Sequence, residues 1–300
     1  MRAYLPEYEL RVPKDLSEAL ALLESEPGVW KPFAGGTDLM VLFEAGKLAH
    51  RKFFSIWHLP ELRGIDVTAE HVTLGALTTY TQVQGTEVLR REFPMLCQAA
   101  SETGGLAIQN RGTLGGNIAN ASPAGDSPPT LLAYDAQLEL VSQGGTRFVA
   151  YSEFHTGYKR LALGAGELIK SIRLPRTGGA VHQYYRKVGT RKAQAISKVC
   201  FAGLARMEGA SIREIRLALG SVAPTPLRCL RTEEVLKDQK LDAPLIGAAR
   251  ASLSKEIVPI DDIRSTFDYR LRVALNLLED FLSTLQTNTR EQVGMMKDEG

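Results

Sequence analysis

Cysteine is scarce in this 300-residue chain: Cys97, Cys200 and Cys229 are its three, and no two of them stand close enough to make a C-x-x-C pair. That spacing excludes a zinc site or an iron–sulfur cluster built from cysteines of this chain, and the bland reading is three reduced, buried thiols. Net charge is nearly absent as well. Lys and Arg total 36 against 34 Asp and Glu, so a formal charge of +2 gives no basic field for nucleic acid. No segment approaches the roughly 20 apolar residues of a membrane span, and Met1–Pro6 carries no apolar signal core. A cytoplasmic protein with no membrane span is therefore expected.

Nucleotide-binding fingerprints are missing too. Gly164-Ala165-Gly166 lacks the third glycine of a Rossmann turn and precedes a strand, and Gly46-Lys47 is followed by leucine with no glycine five positions before Gly46. His50, His58, His71, His155 and His182 are scattered, pairing with no motif serine or cysteine, so hydrolase chemistry has no support and no catalytic side chain is assigned.

Two glycine-rich segments are what the chain does have: Pro32-Phe33-Ala34-Gly35-Gly36-Thr37-Asp38 and Gly112-Thr113-Leu114-Gly115-Gly116-Asn117-Ile118-Ala119-Asn120. Paired glycines let backbone N–H groups approach a phosphate, and the following Thr or Asn adds a neutral donor. Either segment alone reads more readily as an ordinary strand-to-helix turn. Together they point to a long anionic ligand clamped at two places. The amides of Ala34, Gly35, Gly36, Thr37 and Asp38 on one side, and of Gly115, Gly116 and Asn117 on the other, are the expected diphosphate donors, supplemented by the Thr37 and Thr113 hydroxyls. Ala121 to Pro129, rich in proline and small residues, is expected to be an irregular ligand-lining arm.

Local patterning supplies the scaffold. Strands are expected at Glu7–Val12, Val29–Phe33 and Lys52–Trp57, with helices after Asp15, which can cap, and over Asp38–Gly46; this order suggests a small parallel α/β unit. Alternation around Thr68–His71, a helical stretch over Thr79–Ser101, a hairpin around Gln143–Thr146 and a strand over Glu167–Leu174 make an α+β subdomain. After Arg176-Thr177-Gly178-Gly179, a hairpin at Ser197–Met207 and Ile212–Leu219 and helices at Thr232–Lys237, Pro244–Leu253 and Phe267–Leu285 suggest a sheet covered on one face. The expected divisions are 1–176, with subdomains of about 1–58 and 59–176, then 177–285, then a polar tail over 286–300.

Ala34–Leu39, Arg111–Asn117, Ala121-Ser122-Pro123 and Gly220-Ser221-Val222-Ala223-Pro224-Thr225-Pro226 occur in an order that resembles the FAD-binding medium subunit of molybdenum hydroxylases, the family of xanthine dehydrogenase and aerobic carbon monoxide dehydrogenase. The resemblance runs to about Leu285. It implies an α+β fold: a two-subdomain FAD-binding unit of the vanillyl-alcohol oxidase type, then a C-terminal antiparallel sheet with helices. It also implies non-covalent FAD, consistent with the lack of histidine in either glycine segment. The implied cofactor-binding set is Pro32, Phe33, Ala34, Gly35, Gly36, Thr37, Asp38, Leu39, Thr113, Leu114, Gly115, Gly116, Asn117, Asp126, Ile169 and Lys187. Asp126 reads alternatively as a turn residue after Gly125, and Lys187 as a solvated surface lysine; near the ring, that ammonium would raise the flavin potential. Relatives of the carbon monoxide dehydrogenase type often carry a tyrosine where this chain has Ala193–Ser197, and the four-cysteine insertion of hydroxybenzoyl-CoA reductases is missing.

The implied activity is electron transfer from the [2Fe–2S] clusters of a small subunit through FAD to NAD+ or another acceptor, with molybdopterin in a large subunit and a dimer of heterotrimers as the assembly. A self-contained FAD-dependent oxidoreductase of the same superfamily is the alternative, and a non-enzymatic assembly or nucleotide-sensing module a third. FAD uptake separates the third from the first two, and substrate oxidation by the chain alone separates the first two from each other.

Overall fold

The computed structural model describes residues 7–191 and 194–298, with side chains through 287. Met1–Pro6, Lys192, Ala193, Glu299 and Gly300 lie outside the described residues, as do the parts of the expected signal-free N-terminus, 193–197 segment and tail that fall on them. The first unit is a parallel three-stranded sheet in which Lys52–Ser55 lies between Glu9–Arg11 and Lys31–Phe33. The Leu16–Ser25 helix starts at Asp15, whose carboxylate accepts the Glu18 N–H, and its buried Leu20, Leu22 and Leu23 share a core with Trp30 and Phe54. The Glu18 side chain caps the Lys14 N–H, one residue before the position a capping box requires.

A five-stranded antiparallel sheet follows, ordered Ile65–Val67, His71–Gly75, Leu168–Pro175, Gln137–Ser142, Gly145–Ala150. Pairing between Leu168–Pro175 and Gln137–Ser142 slips between Ile169 and Ser171, a bulge that puts Ile169 and Ile172 into one core, opposite Leu140 and Leu138, while Leu168 packs into the core on the other face. The third sheet is antiparallel, with His182–Val188, Val199–Glu208, Ser211–Gly220 and Leu227–Arg228 in sequential order.

The structure departs from the sequence-based expectation in four places. Ser127–Ala133 is a helix with every residue buried, although Pro128 and Pro129 suggested irregular chain. Prolines in a first turn remove N–H groups that have no intrahelical acceptor in any case. His182–Val188 is a strand. The C-terminal sheet is covered on both faces, with Phe267–Asp298 packed on one side of Val199–Glu208 and Ser127–Ala133 on that strand as well. One continuous core accordingly joins Leu131, Leu132 and Tyr134 to Tyr185, Cys200, Ala202, Leu204 and Ala218. The last helix continues past Leu285 to Asp298, because backbone hydrogen bonding propagates beyond the end of the apolar period.

Carboxylate–guanidinium pairs tie the periphery. Arg176 grips Glu92 with two bonds of 2.7 and 2.8 Å, and Arg147 grips Glu167 at 2.6 and 2.7 Å. Hydrogen bonds from these guanidinium groups hold both carboxyls below the usual glutamate range. A depressed folded-state pKa contributes stability above the unfolded value, about 4.3, and that contribution is lost as pH falls through the folded value. Thermal melts should therefore drop in midpoint below about pH 4, and Glu92→Gln should flatten that drop; an unchanged slope in the variant would remove this pair from the acid response.

Candidate functional site

The strand Lys31–Phe33 leads directly into Ala34-Gly35-Gly36-Thr37, and the chain then enters the helix Leu39–Glu44. Gly36 has φ +76°, a left-handed conformation that glycine adopts without a Cβ penalty. Gly35 lies against the second glycine segment so closely that a Cβ there would sit 1.8 Å from the Arg111 carbonyl oxygen. The two segments, 76 residues apart if counted from Gly35 to Arg111, thus touch through backbone. Arg111 itself lies over the Trp57 ring at 3.9 Å, with Arg63 over the same ring at 4.8 Å, so cation–π contacts tie the second segment to the chain around Trp57.

The two segments differ in what they offer a ligand. Among the described residues, the N–H groups of Gly35, Gly36 and Thr37 have no acceptor. The second segment is the first turn of the helix Leu114–Ala119, capped by Thr113, and its donors are taken up within the chain. Leu114 N–H donates to Thr78 O at 3.0 Å, Gly115 N–H to Ala76 O at 2.9 Å, Gly116 N–H to Thr113 Oγ1 at 3.1 Å, and Asn117 N–H to Thr113 O at 2.9 Å. The expected symmetric pair of amide clamps is therefore one open amide set facing a capped helix. Within it, Asn117 Oδ1 is buried without a hydrogen-bond partner among the described residues.

A cavity of about 620 Å³ opens between these segments, within the range of small-molecule sites. Of the sequence-derived set, Pro32, Ala34, Gly35, Gly36, Thr37, Asp38, Leu39, Thr113, Gly115, Gly116, Asn117 and Ile169 line it. Phe33 and Leu114 stand behind the wall: Leu114 is fully buried, and the Phe33 ring supports Gly36, where a Cβ would meet it at 2.7 Å. Leu168 lines the wall beside Ile169. Of the arm Ala121–Pro129, Ala121 alone lines the cavity.

Asp126 and Lys187 do not line it. They form a buried ion pair, Nζ to Oδ2 at 2.7 Å, and the ammonium also donates to Glu102 O at 2.8 Å. Ser197 donates to the other carboxylate oxygen at 2.5 Å, and Thr103, which does line the cavity, lies 3.4 Å from Oδ2. Burial raises the Asp126 pKa, with the Lys187 charge and the hydrogen bonds opposing. The surface reading of Lys187 is excluded, since its side chain is 4% exposed.

Sequence reasoning passed over Asn120, Lys159, Leu163, Tyr80, Ile108 and His50, all of which line the cavity. Asn120 stood inside the quoted motif and could have been singled out as an amide next to a glycine turn. Lys159 gave no signal. Among the described residues no group of three His, Cys, Asp or Glu side chains is placed to hold a metal ion, and no helix is long and apolar enough to cross a membrane.

Comparison with known proteins fits this geometry. Residues 6–177 match the family described as the FAD binding domain in molybdopterin dehydrogenase, and residues 183–285 match the CO dehydrogenase flavoprotein C-terminal domain. The chain is 33% identical over 270 residues to the xanthine dehydrogenase FAD-binding subunit of Escherichia coli O157:H7, covering 89% of this chain and 92% of that protein. It is 30% identical to the glyceraldehyde dehydrogenase medium chain of Sulfolobus acidocaldarius, covering 90% and 95%. A solved carbon monoxide dehydrogenase from Hydrogenophaga pseudoflava has a chain that superposes with a TM-score of 0.88 at 28% identity, covering 92% of this chain and 96% of that one.

Proposed function

The chain belongs to the family of FAD-binding subunits of molybdopterin dehydrogenases, and from that membership we propose that it is the flavin-carrying medium subunit of a molybdenum hydroxylase complex. In this reading it receives electrons from the [2Fe–2S] clusters of a small subunit and passes them to NAD+ or another acceptor. A large subunit holds molybdopterin and the substrate. The assembly is a dimer of heterotrimers in the cytoplasm, and the chain divides at about residue 177 into its FAD-binding and C-terminal parts.

The observation that carries the proposal is the open amide set of Gly35, Gly36 and Thr37 on a cavity of small-molecule size. A dinucleotide fits that description. Its diphosphate needs donors that approach without side chains. The bound FAD supplies the electron-transfer chemistry. The chain does the rest: the first glycine segment binds phosphate oxygens, while Leu168 and Ile169 give an apolar wall that excludes water. Asp126 and Lys187 enter at one remove, through Thr103.

The purified chain should take up one FAD, release it on acid denaturation, and oxidise no purine, aldehyde or N-heterocycle until the large and small subunits are added. Substrate oxidation by the chain alone, with molybdenum and iron shown to be absent, would replace this reading with a self-contained flavoenzyme. No FAD uptake would overturn both.

A further inference from the structure

On the cavity that the open amides line, a hairpin of His155–Gly157 and Arg160–Leu161 brings Lys159 to the second glycine segment, with Lys159 in a left-handed turn conformation at φ +56°. Its ammonium donates to Asn120 O at 2.8 Å and to Asn120 Oδ1 at 3.0 Å. The same asparagine donates from Nδ2 to Asp38 Oδ1 at 3.2 Å. A polar chain of Lys159, Asn120 and Asp38 therefore runs between the hairpin, the capped helix and the first glycine segment, and all three residues line the cavity.

Asp38 directly follows the open amides, so a fixed carboxylate stands at the place where a diphosphate is to sit. Like charges there oppose binding. The charged side chains lining the cavity are Lys31, Asp38 and Lys159, and Lys159 is the one hydrogen-bonded into the Asp38 chain. A lysine ammonium has three donors, and two are directed at Asn120, which leaves one for a ligand oxygen. His155, at the base of the hairpin, adds no charge near neutrality, because burial pushes its pKa down to about 4.

We propose that Lys159 is a diphosphate-binding residue of the FAD site, held in place by Asn120 and offsetting the charge of Asp38 where the two glycine segments meet. The proposal rests on the FAD-subunit reading and adds to it a contact from a hairpin that carries no glycine motif. It makes the flavin seat a three-sided one, with affinity that depends on salt, since Lys159 is exposed.

The test is fluorescence titration of FAD, and of riboflavin as a probe without phosphate, into the full-length apoprotein at low and high salt. Lys159→Met should weaken FAD binding about tenfold at low salt, the scale of one charged hydrogen bond partly screened by water, and the deficit should shrink at high salt. Riboflavin binding should stay unchanged. Lys159→Arg should retain most of the affinity, and Asp38→Asn added to Lys159→Met should restore much of the loss. Equal affinity and salt dependence in Lys159→Met and wild type would overturn the proposal, as would equal losses for FAD and riboflavin, which would make the lysine a hairpin latch. Failure of the wild type itself to bind FAD would instead strike the parent reading.

Discussion

Gly35→Ala should yield a folded chain that has lost nearly all of its flavin. The added methyl carbon would lie 1.8 Å from the Arg111 carbonyl oxygen, far inside any contact that a backbone atom can accept. Neither neighbour is a flexible side-chain tip. The first glycine segment must therefore shift away from the second, and the N–H groups of Gly35, Gly36 and Thr37 shift with it. Donors placed by backbone geometry lose their aim with such a displacement, so the apparent Kd for FAD should rise on the order of 100-fold, which is about 2.7 kcal/mol. Gly116→Ala is the comparison: its Cβ would lie 2.9 Å from Thr113 Oγ1, and Gly116 sits in a helical turn with its N–H already bonded. A smaller loss is expected there. Equal FAD occupancy of Gly35→Ala and wild type after gel filtration would mean that the seam between the segments does not shape the site.

The second large effect is on stability. Asp126→Ala removes the partner of a lysine whose side chain is 4% exposed, leaving a buried ammonium with the Glu102 carbonyl as its remaining acceptor. Breaking a buried pair from one side typically costs about 3–5 kcal/mol, because one charge is left without compensation. A fall in Tm on the order of 10 °C is the corresponding expectation for a chain of this size. Asp126→Ala combined with Lys187→Met should recover much of that loss, since neither charge then remains buried. A single variant as stable as wild type, or a double variant as unstable as the single, would contradict the assignment of this pair as a brace. Removing the acid should also alter pH dependence. Burial raises the folded pKa of Asp126, so wild-type stability from this group falls as pH rises from the unfolded value through the folded one, and the variant lacks that component.

Most of the scaffold could be read in the sequence. The parallel unit, the Ile65–Gly75 and Gln137–Ala150 hairpins and the three C-terminal helices follow from short-range alternation, caps and breakers, which are local properties of the chain. Ser127–Ala133 was hidden because Pro128 and Pro129 look like breakers unless the helix start is known. The first glycine segment was legible for a physical reason, namely that a positive φ and an intersegment contact leave no room for a side chain at Gly36 and Gly35. The second was misleading as a donor set: the capping role of Thr113 is local, but nothing local says that Ala76 and Thr78 accept the Gly115 and Leu114 N–H groups. Lys159 lies 39 positions from Asn120, and Asn120 lies 82 from Asp38. No periodicity reaches that far. Asp126 and Lys187 were singled out through the resemblance as cofactor contacts, and what could not be foreseen was that they would pair with each other, 61 residues apart, off the cavity lining.

The core shared between Leu131, Leu132 and Tyr134 and the strands around Tyr185, Cys200 and Ala218 bears on how the chain is made. During synthesis the first 177 residues emerge with the buried helix Ser127–Ala133 still lacking the sheet that covers it, and at ordinary elongation rates the strands through Gly220 follow over roughly two to nine seconds. Until they do, that helix lacks the part of its apolar cover that the C-terminal strands supply, and Asp126 lacks its Lys187 partner.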